Sequence, residues 1–110
     1  MATKQSEINL FIELDENQIP EKLQWSAEDG GVVNQESKAI LLSVWNNQEK
    51  QTMKIDLWTK DMPVDEMKRF FYETLVAMSD TYERATTDTK MADTMRDFCE
   101  YFAEKLELKS

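Results

Sequence analysis

The chain is predicted to be an α+β domain: a mainly antiparallel sheet of about four strands, followed by two C-terminal helices that form a second layer. Three observations predict this. Met53, Ile55, Leu57 and Thr59 alternate with Lys54, Asp56, Trp58 and Lys60, the period of two of a strand with one apolar face. After Asp61-Met62-Pro63 the apolar residues change to helical spacing, at Val64, Met67, Phe71, Leu75, Met78 and Tyr82. The alternating segments precede this junction and the helical ones follow it, which separates sheet from helices along the chain. At 110 residues the chain is expected to be one domain, with residues 1–5 frayed, 6–60 forming the sheet and 62–108 the helical pair.

The elements follow in order. Ile8, Leu10, Ile12 and Leu14 alternate with Asn9, Phe11 and Glu13, which predicts a strand over 7–14. Asp15-Glu16-Asn17-Gln18 is turn-like, and Pro20 is expected to end regular pairing there. Leu23, Trp25 and Ala27 give a short second strand, and Asp29-Gly30-Gly31 carries the only two glycines, the strongest turn signal in the chain. Val32 and Val33 can begin another extended piece; residues 34–37 read as loop. Over 38–46, Ile40, Leu42 and Val44 face one way and Ala39, Leu41, Ser43 and Trp45 the other. A hairpin with the 51–60 strand keeps both aliphatic rows on one face only if Val44 pairs with Met53, Leu42 with Ile55 and Ile40 with Leu57, because a one-residue slip puts one row in water.

The first helix is expected from residue 62 or 63 to 85, capped by Asp61, with Pro63 in the first turn and Asp65 and Glu66 at the positive end of the dipole. Asp65–Arg69 and Asp80–Arg84 are spaced as surface ion pairs. Thr86-Thr87-Asp88 reads as a turn, with Asp88 capping a second helix over 89–108 whose apolar row is Met91, Met95, Phe98, Phe102 and Leu106. One continuous helix projecting into a dimer is the alternative, since neither glycine nor proline interrupts the segment.

Composition narrows the function. The 22 Asp and Glu against 13 Lys and Arg give a net charge of −9, which argues against nucleic acid and anionic membrane surfaces as partners. There is no histidine, the commonest metal ligand and general base. The single cysteine, Cys99, excludes an intramolecular disulfide and lies beside an apolar stripe with Glu100 next to it, the setting of an inert thiol. No apolar run is long enough to span a membrane and no leader peptide is recognisable, so a cytoplasmic location is expected. The acidic pairs Asp15/Glu16, Glu28/Asp29, Asp65/Glu66 and Asp93/Asp97 fall in turns or on solvated helix faces and match no calcium-loop pattern. No nucleophile or phosphate-loop motif occurs, and neither enzymatic activity, metal nor cofactor is expected.

The aromatics are more informative. Trp45 and Trp58 fall on the sheet face opposite Leu42, Val44, Ile55 and Leu57, so both faces carry apolar area. Either the Trp face is itself core, or it is left partly open as a protein contact. The candidate interface comprises Phe11, Leu41, Trp45, Trp58, Met62, Tyr72 and Val76, with Phe11 joining if its strand pairs in phase.

The run Ile55-Asp56-Leu57-Trp58-Thr59-Lys60-Asp61-Met62-Pro63-Val64-Asp65-Glu66-Met67 resembles the gliding-motility-associated GldC family. So do Pro20-Glu21-Lys22-Leu23, Glu28-Asp29-Gly30-Gly31, Ala39-Ile40-Leu41-Leu42-Ser43-Val44-Trp45, and the segments Asp93-Thr94-Met95-Arg96-Asp97-Phe98-Cys99 and Tyr101-Phe102-Ala103-Glu104-Lys105-Leu106. The resemblance implies a cytoplasmic accessory protein of gliding, whose machinery is linked to protein secretion, and it supplies no catalytic residues. The expectation is a non-enzymatic homodimer that binds a protein of that machinery; a secretion-chaperone-like adaptor for an unfolded client is the alternative.

Overall fold

The computed structural model describes residues 3–108, and the chain forms two compact units, Met1–Met62 and Pro63–Ser110. The expected α+β class is present, antiparallel strands followed by two C-terminal helices. There are five strands in two antiparallel sheets, where about four in one sheet were expected. Of the expected frayed terminus, Met1 and Ala2 lie outside the described residues; residues 3–8 have no regular structure.

In the first unit, β1 (Asn9–Leu14), β2 (Pro20–Ala27) and β3 (Val32–Ser37) form a three-stranded meander with β2 in the middle. Asp15 shapes the first turn: its carboxylate accepts from the backbone N–H of Asn17 at 2.8 Å and of Ile19 at 3.0 Å. Pro20 does not end the pairing. It opens β2 opposite Leu14, a first-residue position that needs no ladder N–H. Ile12 pairs with Leu23 and Leu10 with Trp25, so this sheet too has one apolar face, and Leu23 is fully buried.

The segment 34–37, expected as loop, is strand. Gln35 pairs with Trp25 and Val32 with Ala27, so Val33 and Asn34 together oppose Ser26 as a bulge. Asn34 takes the left-handed conformation (φ 48°) and donates its N–H to Ser26 Oγ at 2.8 Å. The turn before it is the one expected: Gly31 has φ 80°, a conformation glycine adopts at little steric cost.

β4 (Ala39–Asn46) and β5 (Gln51–Trp58) form a separate hairpin in the expected register, Val44 with Met53, Leu42 with Ile55 and Ile40 with Leu57. The Asn46 side chain closes the turn by accepting from the N–H groups of Gln48 and Glu49.

The second unit is a helical hairpin, α1 (Val64–Thr86) and α2 (Thr89–Lys105). The single-helix alternative does not occur, because Thr87 turns left-handed and Asp88 restarts the chain as a cap, accepting from Met91 N–H at 3.1 Å. Asp88 also accepts from the Tyr82 hydroxyl. Asp88→Ala removes a side-chain cap, and a loss of about 1 kcal/mol is expected, read as a lower thermal midpoint at 222 nm. Asp61, expected to cap α1, does not; Pro63 occupies that position without a side-chain bond. Asp61 instead accepts from Thr59 Oγ1 at 2.7 Å and faces Lys38 at 3.6 Å.

The helices meet through small residues. Ser79 on α1 and Ala92, Cys99 and Ala103 on α2 are buried, with Ser79 Oγ 3.8 Å from Cys99 Sγ. Beside this contact, Arg96 bridges Asp80 (2.9 Å), Glu83 (2.7 Å) and Asp93 (3.0 Å). Asp80 thus pairs across to α2, where Arg84 of its own helix was the expected partner.

Candidate interaction surface

The strand period puts Ala39, Leu41, Ser43 and Trp45 on one face of the hairpin, opposite Trp58, Asp56, Lys54 and Thr52 of β5. Leu41, Trp45 and Trp58 therefore share a face, and the two indoles are 60% and 54% exposed. They do not meet. Trp58 pairs with Ala39 at one end and Trp45 with Thr52 at the other, roughly 20 Å apart along the strands. Between them lie Lys54 and Asp56, joined by a 2.6 Å ion pair. The Trp face is two indole patches separated by charge.

The opposite face was assigned to the core. Its residues are Ile40, Leu42, Val44, Asn46, Gln51, Met53, Ile55 and Leu57, and none can ionise. Val44, Met53 and Ile55 are each more than half exposed. This is the largest uninterrupted apolar strip on the hairpin. Sequence reading missed it as a surface because an alternating aliphatic row ordinarily marks the buried side; the uncharged flanks Asn46 and Gln51 were the available signal.

Phe11 is exposed on β1, in the other sheet, opposite Gln24, and so does not extend the Trp face in phase. It lines a shallow depression of about 440 Å³ with Asn9, Gln24, Trp25, Ser26, Glu28 and Asn34, a lining of mixed polar and apolar surface. Met62 is half-buried at the end of the first unit. Tyr72 and Val76 belong to the second unit. Both are half-buried along the α1 row that contains Ser79, the row that meets α2.

The helical hairpin has an apolar side of its own. At about 100° per residue, Phe71 and Met78 lie on the opposite flank of the Ser79 row from Asp80 and Glu83. Met91 and Phe98 lie on the opposite flank of the Cys99 row from Arg96. Because Arg96 reaches Asp80 and Glu83, the ionic flanks of both helices coincide, and so do the apolar ones. Phe71, Met78, Met91 and Phe98 are all exposed.

The two sheets of the first unit are tied by charge. Lys60, just past β5, binds Asp15 of the β1–β2 turn at 2.8 Å and approaches Glu21 at 3.6 Å. The lysine and the two turn N–H groups hold the Asp15 carboxyl below its ordinary 3.8, and Asp15 in turn raises Lys60. Hydrogen bonds from Thr59, with Lys38 nearby, lower Asp61, and those from Arg96 and Thr89 lower Glu83. A depressed carboxyl contributes stability that is complete above its unfolded value and lost as pH falls through the folded one. Asp15→Asn is therefore expected to lower the urea midpoint at pH 7. The gap from wild type should close as pH falls below 3.8, when wild-type Asp15 itself takes up a proton. Comparing the two proteins cancels the general relief of repulsion in a chain of charge −9.

Among the described residues, no group of three or more Cys, Asp or Glu is placed to hold a metal, and no helix is long and apolar enough to cross a membrane. The family model described as gliding motility-associated protein GldC-like matches residues 20–108. The chain belongs to this family. The GldC-like segment begins at the first residue of β2 and runs past the end of α2, so it takes in β2, β3, the β4–β5 hairpin and both helices. Six of the seven candidate interface residues fall inside it; Phe11 lies before it. Membership makes this a gliding-motility-associated protein. No curated protein and no solved structure matches the GldC-like chain significantly.

Proposed function

We propose that the protein is a non-enzymatic, cytoplasmic accessory factor of bacterial gliding that works as a homodimer by docking a protein of the motility or secretion machinery. The match to the GldC-like family over 20–108 carries this reading. Two physical features support it. The hairpin leaves apolar surface on both faces, and apolar patches of several hundred Å² on a soluble protein usually mark contacts. The acidic exterior suits a basic partner around an apolar centre. The reading as an adaptor for unfolded clients calls for an open apolar groove, and the depression beside Phe11 is shallow with polar and apolar surface mixed.

The test is in gliding cells. Deleting the gene should abolish or slow surface spreading, and the wild-type chain should restore it. Crosslinking from those cells should recover a discrete folded partner with the wild type and several-fold less with Trp58→Ala. Normal spreading in the deletion strain would remove the basis for this reading.

A further inference from the structure

The two-stranded β4–β5 sheet is incomplete. A hairpin alone is at best marginally stable in water, and edge strands are normally blunted by lysine, proline, bulges or a covering element. β5 follows that rule, with Lys54 and Asp56 in mid-strand. β4 does not. From Ala39 to Asn46 it contains no charged residue, no proline and no glycine, and its pairing with β5 runs without a register shift.

The ladder fixes which groups the open edge presents. Thr59 donates to the Lys38 carbonyl at 2.9 Å, so Lys38–Thr59 is a hydrogen-bonded pair. In an antiparallel ladder such pairs alternate, which makes Ile40–Leu57, Leu42–Ile55, Val44–Met53 and Asn46–Gln51 the remaining bonded ones. The N–H and C=O groups of Ala39, Leu41, Ser43 and Trp45 therefore point away from β5. The outward Ala39 carbonyl accepts from Ser37 Oγ at 2.9 Å, which closes that end. The open stretch is Leu41, Ser43 and Trp45, all exposed, with Ser43 at its midpoint.

We infer that this edge pairs with the same edge of a second copy, β4 against β4 antiparallel about a two-fold axis at Ser43. The inference rests on the homodimer reading above and gives it a location. Leu41 then faces the partner copy's Trp45, Ser43 faces its own mate, and about six backbone hydrogen bonds cross the axis. The occupant follows from charge. Two chains of net charge −9 repel each other, so self-pairing is least opposed where the contact is free of ionisable groups. β4 is such a strand, and an acid-seeking basic partner would find nothing on it to bind. The axis stands perpendicular to the sheet, so the uncharged aliphatic rows of both copies come to lie on one side. Two patches, each small for a stable interface, become one continuous face on a four-stranded sheet.

The experiment uses the full chain. Sedimentation should show a concentration-dependent dimer, with the Leu41, Ser43 and Trp45 amides protected from hydrogen exchange and losing protection on dilution. Ser43→Pro removes an outward N–H and costs no bond to β5. Ser43→Glu sets like charges across the axis while facing Lys54 within its own hairpin, so it retains the fold if proline does not. Each should weaken dimerisation by about a hundredfold or more with circular dichroism unchanged. Ile55→Lys, on the aliphatic face, should leave the dimer intact. A dimer that survives both Ser43 variants, or whose outward amides exchange freely, overturns edge pairing and leaves the homodimer reading standing. A monomer at every concentration overturns both.

Discussion

Leu23→Ala is expected to lower the unfolding free energy of the first unit by about 2–5 kcal/mol, the range for emptying a buried leucine site. Leu23 is the largest apolar side chain without solvent exposure among the described residues, at the centre of the middle strand and paired with Ile12 and Ser37. A small domain has about 5–15 kcal/mol in total, so the loss is a large share. The chain supplies separate reporters. Trp25, Trp45 and Trp58 all lie in the first unit, and Tyr72, Tyr82 and Tyr101 all lie in the helical one. Indole fluorescence should show the lower midpoint. If ellipticity at 222 nm falls at the same temperature, the chain is one cooperative domain, as its length led us to expect. Two separated transitions would count against a single domain, and an unmoved fluorescence midpoint against Leu23 as the centre of the core.

The sequence made some of this legible for a physical reason. Hairpin register could be read from 38–60 because Lys54 and Asp56 fix which row of β5 must face water, and β4 has only one alignment that serves both aliphatic rows. Asp88 was legible because a lone acid after Thr86-Thr87 has a cap as its best local use. Asp61 looked equivalent and was not: Thr59 and Lys38, brought close by the β4–β5 ladder, claim its carboxylate. Only the start of β3 at Val32 and Val33 was legible, because Asn34 to Ser37 have weak strand preference, and the exposed edge of β2 and a bulge at Asn34 make them extended.

The candidate surface was legible in composition and not in arrangement. Trp45 and Trp58 share the face that alternation assigned them, yet their position at opposite ends follows from hairpin length and turn position together. The more continuous strip lies on the other side. Its residues are those any pattern method ranks as core, and nothing local distinguishes an aliphatic row that is covered from one that is not. The same error of kind occurs in the helices. Of the large apolar residues whose helical spacing suggested the packed rows, Met67, Leu75, Tyr82, Met95, Phe102 and Leu106 are half-buried, whereas Phe71, Met78, Met91 and Phe98 are exposed.

That last point carries the second large prediction. Ala103→Leu should destabilise the helical unit by about 1–3 kcal/mol, the usual result of forcing extra methylenes into a filled site. Ala103 has no solvent exposure and lies on the same α2 row as Ala92 and Cys99, the row whose short side chains let α1 and α2 approach closely. A leucine there adds volume at a site without solvent exposure, so the helices are expected to separate and the Ser79–Cys99 contact to open. Ala103→Ser is the matched control, since a hydroxyl adds little volume and can bond within its own helix, as Ser79 does to the Leu75 carbonyl at 3.0 Å. The expected order of thermal midpoints at 222 nm is wild type, then Ala103→Ser close behind, then Ala103→Leu well below. At exposed Phe98 on the neighbouring flank, the change to leucine should have an effect within about 0.5 kcal/mol. If Ala103→Leu is as stable as wild type while Phe98→Leu is not, the packed row has been misassigned and the large apolar side chains hold the hairpin together after all.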